Sequence, residues 1–438
     1  MQTRTEQSDP STPVAGGQNI IDVAEAAAEA IDNRERAIVL WLANINHLAN
    51  HFQNQMLNPM YPAIMASLGF GPLQIGILTA IRTMLNSVFQ LGYGFLTPFI
   101  HRIHLLGIGA IIMGIGTAAT GFAVNFPTLV AARCLAAAGG SSQHPIGASL
   151  LSSYFPKNRG QMLALNTSIS QVGTMMAPLV SIFLLEAVGW QATFVIISVL
   201  SIAMAIAYFF FKDKVRDEKK ASGKAKLKES KLSYLRVFRN RNMILISLVF
   251  MVGGAGRGEV TPIYLPLHLV NDFGFTLWHG AAALFLYNLS GMTGPIFFGW
   301  LSDRLNRVKI MQASLLLSAV ATVWLAFQGP TVLLLVASIL FYGAATHSRG
   351  TLTQALIADT VSEEDRDAAF SIYFFLGFFS APVWAIVTGY LYQNQTFSIA
   401  FSVMSVSYIA AMALMALVKD PRSMVAASQA GSRRGGSD

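Results

Sequence analysis

Apolar runs as long as a bilayer is thick recur along this chain. The windows from Ile103 to Val124 and from Trp190 to Phe211 contain no Asp, Glu, Lys or Arg. A helix of about 20 such residues crosses the hydrocarbon core at 1.5 Å rise per residue. Lipid offers no partner to an unpaired backbone amide, so each run is expected to be helical. Only 12% of the residues are charged, about half the share of a soluble domain. The expectation is an all-α membrane protein of twelve transmembrane helices.

The location of the charge predicts the topology. The stretch from Lys212 to Arg241 holds 12 Lys or Arg and 4 Asp or Glu, a net +8 that equals the formal charge of the whole chain. It separates two hydrophobic halves and reads as a cytoplasmic linker, because cytoplasmic loops carry the excess of Lys and Arg. Alternate loops agree. Arg34, Arg36, Lys157, Arg159, Lys309 and Lys419 fall on one side, while Gly69 to Pro72, Asn125 to Pro127 and Gln393 to Gln395 contain no Lys or Arg. The chain thus divides into a polar cytoplasmic tail (1–36), a first six-helix bundle (37–211), a basic linker (212–241), a second six-helix bundle (242–418) and a cytoplasmic tail (419–438). Both termini are expected inside an inner (plasma) membrane. A short Ala-rich surface helix is expected over Ile20 to Ile31. The basic run lacks interleaved aromatics and lies between spans, which argues against nucleic acid as a partner.

The two halves repeat each other. Asn58-Pro59-Met60-Tyr61-Pro62 closes the first run and Thr261-Pro262-Ile263-Tyr264-Leu265-Pro266 the seventh. Gly94 and Gly299 close the second and eighth. His144 and His347 lie in the fourth and tenth. Gly173 to Pro178 recurs as Gly377 to Pro382. One nearly constant offset links all four pairs, which implies two bundles related by an axis along the membrane normal.

These residues resemble the major facilitator superfamily over essentially the whole chain after residue 36. Gly299-Trp300-Leu301-Ser302-Asp303-Arg304-Leu305-Asn306-Arg307 is similar to the family's loop motif. In the first half, Gly94 to Arg102 departs from it, with Pro98 at the Asp position and His101 at a Gly position. Arg133 with Gly139 and Gly140 resembles the fourth-helix motif associated with proton coupling. Gly173 to Pro178 resembles the antiporter motif, with Ala177 in place of its second Gly. His47, Asn50, Gln74-Ile75-Gly76 and Gly140 to Pro145 resemble the fosmidomycin-resistance branch of efflux proteins. The resemblance implies alternating access about a central cavity, with export slightly favoured. It also implies a conformational latch at Gly299, Asp303, Arg304 and Arg307.

Ionisable groups inside spans are costly and mark function by default. Arg82, Arg133, Arg257 and Arg349 outnumber the one comparably deep carboxylate, Glu259. Surplus guanidinium groups suit an anion such as a carboxylate or phosphate. Asn44, His47, His51 and Asn54 share one face of the first helix, and Arg257, Thr261 and Tyr264 one face of the seventh. With the resemblance, these faces become opposite walls of a substrate cavity. The expected substrate-binding set is Arg82, Arg257, Asn44, His47, His51, Asn54, Tyr264, His347 and Arg349. Glu259, His144 and Arg133 are the candidates for proton exchange. The structural reading of each histidine, a packing imidazole hydrogen-bonded between helices, stands beside the functional one.

The sequence shows no Walker A loop, no nucleophile elbow, no metal-ligand cluster and, with Cys134 alone, no thiol pair. No enzyme activity and no cofactor are expected. The leading reading is a monomeric, proton-coupled secondary transporter of a small organic anion or drug-like solute. The alternatives are an organic-anion or phosphate-ester importer, and a membrane sensor or lipid translocase on the same scaffold.

Overall fold

The computed structural model describes residues 32–96, 99–155, 158–211, 234–254, 260–361 and 365–420. The Ala-rich stretch, most of the basic linker, Arg257, Glu259 and the end of the chain lie outside the described residues.

Among the described residues the helices group into twelve passes. The first pass is Asn33–Gln55 continued by Leu57–Leu68, the second Pro72–Leu96 and the third Arg102–Thr120. The fourth is Phe126–Gly140 with Gln143–Tyr154. The fifth and sixth form one run, Arg159–Phe209, broken at Gly189. The seventh is Arg241–Val252 with Val260–Leu267 and the π turn His268–Asp272. The eighth to twelfth are Leu277–Arg304, Arg307–Ala326, Val332–Thr360, Arg366–Asn394 and Phe397–Met415. Six of the described helices are long and apolar enough to cross a membrane by length and composition alone. Several of the remaining passes are interrupted, which shortens each continuous helix.

Gly189 shows why the fifth and sixth passes can reverse so tightly. Its φ of 79° and ψ of 162° suit a residue without a Cβ. The turn from third to fourth is closed by a capping box, in which Asn125 accepts from the Thr128 amide at 3.0 Å and Thr128 Oγ1 accepts from the Asn125 amide at 3.2 Å. Each satisfies an amide that the helix start leaves open.

Within the first half, the first pass packs on the fifth and sixth, and the third on the fourth and sixth. Small residues permit this. A Cβ on Gly173 would meet the Leu48 carbonyl, and one on Gly139 would meet the backbone of Gly109 and Met113. Close backbone approach at small residues is the usual way helices associate in lipid. In the second half, the eighth and tenth passes form a tight pair, with Gly294 and Gly343 at the crossing. The halves meet through second on eleventh and fifth on eighth, a repeat-related pair of contacts, and where the first pass meets the seventh.

Candidate functional site

A cavity of about 530 Å³ lies between the halves. The first half contributes His51 and Gln55 from the first pass, and Thr167, Gln171 and Thr174 from the fifth. The second half contributes Asn288 from the eighth pass, and His347, Arg349, Thr351 and Gln354 from the tenth, among others. Gly254 and Pro262, which flank the undescribed residues 255–259, are also on its wall.

Arg349 is buried and belongs to that wall. Its Nε donates to the Thr346 carbonyl at 3.1 Å, its Nη1 donates to the Gly253 carbonyl, and its Nη2 reaches Tyr408 Oη at 3.5 Å. The guanidinium also lies over the Tyr408 ring, 4.2 Å from its centre and well within the about 6 Å reach of a cation–π contact. Each of these partners is neutral. Among the described residues no carboxylate pairs with Arg349, so its charge stays on the cavity wall. His347, two residues earlier, donates from Nδ1 to the Gly343 carbonyl at 2.9 Å and packs on Tyr287.

The structure divides the polar face of the first pass. His51 lines the cavity, but Asn44, His47 and Asn54 turn toward neighbouring helices of their own half. Asn166 of the fifth pass donates to Asn44 Oδ1 at 2.8 Å, and its Oδ1 lies 2.7 Å from His47 Nδ1. Asn54 lies against Arg82 and Arg133. The close approach at Gly173 brings the fifth pass into the place that the helical wheel alone leaves to a cavity. Arg82 and Arg133 are buried and do not line the cavity.

Tyr264 is likewise not on the cavity wall. It is fully buried, and its hydroxyl lies 3.0 Å from the Ala385 carbonyl and 3.3 Å from the Pro72 carbonyl. It thus joins the seventh, eleventh and second passes. Gly76 and Gly389 stand at the same contact, where an added Cβ would strike backbone of the opposite half. Leu73 N donates to Gln393 Oε1 at 3.1 Å, and Trp278 Nε1 donates to Glu186 Oε2 at 2.7 Å. Together they seal the halves at the end whose loops contain no Lys or Arg.

At the other end, Arg307 bonds Asp303 Oδ1 at 2.6 Å and Asp359 Oδ2 at 3.4 Å. It ties the start of the ninth pass to the ends of the eighth and tenth. Arg304 stacks on Trp300, 4.0 Å from the ring centre. Around Gly299 there is open space.

His144 and His347 do not share an environment, although the repeat relates them. His144 lies just past the break in the fourth pass, with its ring centre 5.2 Å from His47 and 5.6 Å from His51. Sequence spacing shows no metal-ligand cluster, yet folding brings these three imidazoles together. Asn166, Asn288 and the Thr167, Gln171, Thr174 row were also missed. The row was readable, since i, i+4, i+7 places three polar side chains on one helix face.

Two broken six-helix bundles sealed at one end around a polar cavity define a polytopic membrane transporter. The model of the Major Facilitator Superfamily matches residues 44–306 and 282–435, and the chain belongs to that family. It is 25% identical over 403 residues to the probable L-galactonate transporter of Escherichia coli K12, covering 85% of this chain and 87% of that one. It is 22% identical over 289 residues to the probable sulfoacetate transporter SauU of Cupriavidus necator, covering 63% and 66%. Among solved structures, the nucleoside transporter NupG superposes with a TM-score of 0.72 at 15% identity, over 88% of this chain and 99% of the other. Its relatives are transporters and not enzymes, and they support secondary transport of small solutes.

Proposed function

We propose that this chain is a proton-coupled transporter of a small organic anion, with Arg349 as its electrostatic anchor. The observation that carries this reading is the Arg349 guanidinium on the wall of an interior cavity, where its partners among the described residues are all neutral. A buried cation of this kind attracts an anion more strongly than it would in water, because the surroundings screen poorly. Asn288, Gln171, Thr351 and Gln354 supply neutral donors and acceptors around it. The two relatives are probable transporters of L-galactonate and sulfoacetate, both organic anions.

Arg257 and Glu259 remain in the proposal on sequence grounds, as a second anion contact and a proton carrier. His51 and His347 face the cavity and are the candidate proton carriers on its wall. The positive-inside pattern assigns the sealed end to the outside, so the cavity belongs to an inward-facing state. Alternating access then consists of breaking the Tyr264 and Gly76 contacts while the opposite end closes.

The test is uptake by the purified chain in liposomes, with a panel of sugar acids, sulfonates and simple carboxylates under an imposed proton gradient. Accumulation of an acid that is lost in Arg349→Ala supports the reading. Equal accumulation of an uncharged sugar, or full activity of the variant, overturns it. The sign of coupling in oriented vesicles separates export from import.

A further inference from the structure

We propose that His47, His51 and His144 form a binding site for a divalent transition-metal cation beside the transport cavity. One ring nitrogen from each lies within 4.8 Å of the other two. The ring centres of His47 and His51 are 4.8 Å apart, and all three rings meet edge to face.

Hydrogen bonding sets the tautomers in favour of a cation. The Asn166 amide nitrogen donates to Asn44 Oδ1 and toward the Ala43 carbonyl. Its oxygen is therefore the atom facing His47, and it accepts from Nδ1–H of that ring at 2.7 Å. A neutral imidazole protonated on Nδ1 keeps its lone pair on Nε2. His47 Nε2 is buried and has no hydrogen-bond partner, and His47 as a whole is only 7% exposed. The same logic holds one turn along. The Thr174 hydroxyl donates to the Ser170 carbonyl, so its oxygen accepts from His51 Nδ1–H at 3.1 Å. His51 Nε2 is left as the basic atom. These are the outer contacts that orient metal-binding histidines, where the non-coordinating N–H is held by an oxygen.

Three imidazoles suit borderline cations such as Zn²⁺, Ni²⁺ or Co²⁺ and do not suit Mg²⁺ or Ca²⁺. With Zn–N bonds of about 2.0–2.1 Å, ligating nitrogens stand about 3.4 Å apart, so these three, now within 4.8 Å of one another, must each move inward by up to about 1 Å. Three protein ligands leave a fourth position open, as in sites that also hold water or a solute. Access exists, because His51 lines the cavity and His144 is exposed. A bound cation would join the first pass to the fourth just beyond its break, and would add positive charge beside the cavity.

The test uses the full chain in detergent, with any purification tag removed and metal stripped by a chelator. Titration with ZnCl₂ should give one site per chain, and MgCl₂ none. Titration with CoCl₂ should give the intense visible bands of four-coordinate cobalt. His144→Gln and His47→Gln should abolish both signals, and Asn166→Ala should weaken Zn²⁺ binding by about 10- to 100-fold. His279→Gln, at an exposed site elsewhere, should change neither. Failure of the unmutated chain to take up Zn²⁺, or a cobalt spectrum of the six-coordinate kind, overturns the proposal whether or not the variants fold. So does binding that survives in both histidine variants. The measurement involves no transported solute, so its outcome is independent of the anion reading.

Discussion

Arg82 and Arg133, carried by different passes, share one acceptor: Asn54 Oδ1 lies 3.4 Å from Arg82 Nη1 and 3.4 Å from Arg133 Nη2. Both arginines are buried, Arg133 completely. Asn54 is itself oriented, because its amide nitrogen donates to the Asn50 carbonyl at 3.0 Å and to Asn50 Oδ1 at 3.1 Å. Asn50 in turn donates to the Gly140 carbonyl at the break in the fourth pass. A relay of amides thus connects two intramembrane cations to the point where the fourth pass bends.

Asn54→Leu removes that acceptor from both cations at once. Loss of a partner in a buried position costs about 1–3 kcal/mol, and more where the group is charged. We expect the variant to unfold at distinctly lower temperature in detergent. Asn54→Asp keeps the shape and adds a charge opposite to the two arginines, so it should unfold no lower than the parent chain. Differential scanning fluorimetry of the pair reads this directly. Equal melting of Asn54→Leu and the parent would remove Asn54 from any role in holding the two arginines.

Arg349→Ala should lower the apparent affinity for a transported anion by about 10- to 100-fold, the equivalent of one charge-assisted hydrogen bond. Arg349→Lys should recover little of this. A lysine keeps the charge but cannot stack flat on Tyr408 while serving the Thr346 and Gly253 carbonyls. Concentration dependence of uptake in liposomes checks both, and a fully active Arg349→Lys would point to charge alone as the requirement.

Fold class, the number of passes and the twofold repeat were legible because lipid permits so few solutions: an apolar run must be a helix, and a duplicated pattern must be a duplicated bundle. The site was legible only in part. Helical spacing correctly groups Asn44, His47, His51 and Asn54 on one face. It cannot say what that face meets, and three of the four meet their own half. What decides this is Gly173, which lets the fifth pass close on Leu48 and delivers Asn166 to His47. Arg349 lay within reach of sequence reasoning as an intramembrane charge, whereas its stacking on Tyr408 depends on where the twelfth pass comes to lie in the bundle. The three-imidazole cluster was out of reach, since His144 comes from a helix that begins only after the break at Ser141 and Ser142.

The latch around Arg307 should be asymmetric. Asp303 is largely exposed, so its bond to Arg307 is expected to contribute about 0–1 kcal/mol. Asp359 is less exposed and belongs to another helix. Asp303→Asn should therefore leave thermal stability nearly unchanged, and Asp359→Asn should lower it more. If the ion pairs hold the ends of three passes together during transport, Arg307→Ala should reduce the rate of uptake more than the affinity for solute. A change confined to affinity would assign Arg307 to something other than conformational control.

The seal offers the sharpest test of alternating access. At Gly76 an added Cβ would run into the Ala385 carbonyl, and at Gly389 it would meet the Tyr264 hydroxyl and the Pro72 carbonyl. Backbone cannot yield as a flexible side chain can, so Gly76→Val must push the second and eleventh passes apart. Tyr264→Phe acts differently, deleting the hydroxyl that lies between Ala385 and Pro72 without adding bulk. A thiol reporter distinguishes the two. In a Cys134→Ser background, Ala385→Cys places the reporter inside the closed seal, where Ala385 is fully buried against Gly76 and Tyr264. Maleimide labelling of that thiol should be slow in the parent, faster with Tyr264→Phe and fastest with Gly76→Val. Because the two ends of the cavity cannot be open together in alternating access, Gly76→Val should also protect a thiol introduced at Gln354→Cys on the opposite side of the cavity. If both thiols label faster, the substitution has loosened the protein without shifting a two-state equilibrium, and the rocking mechanism loses its support at this contact.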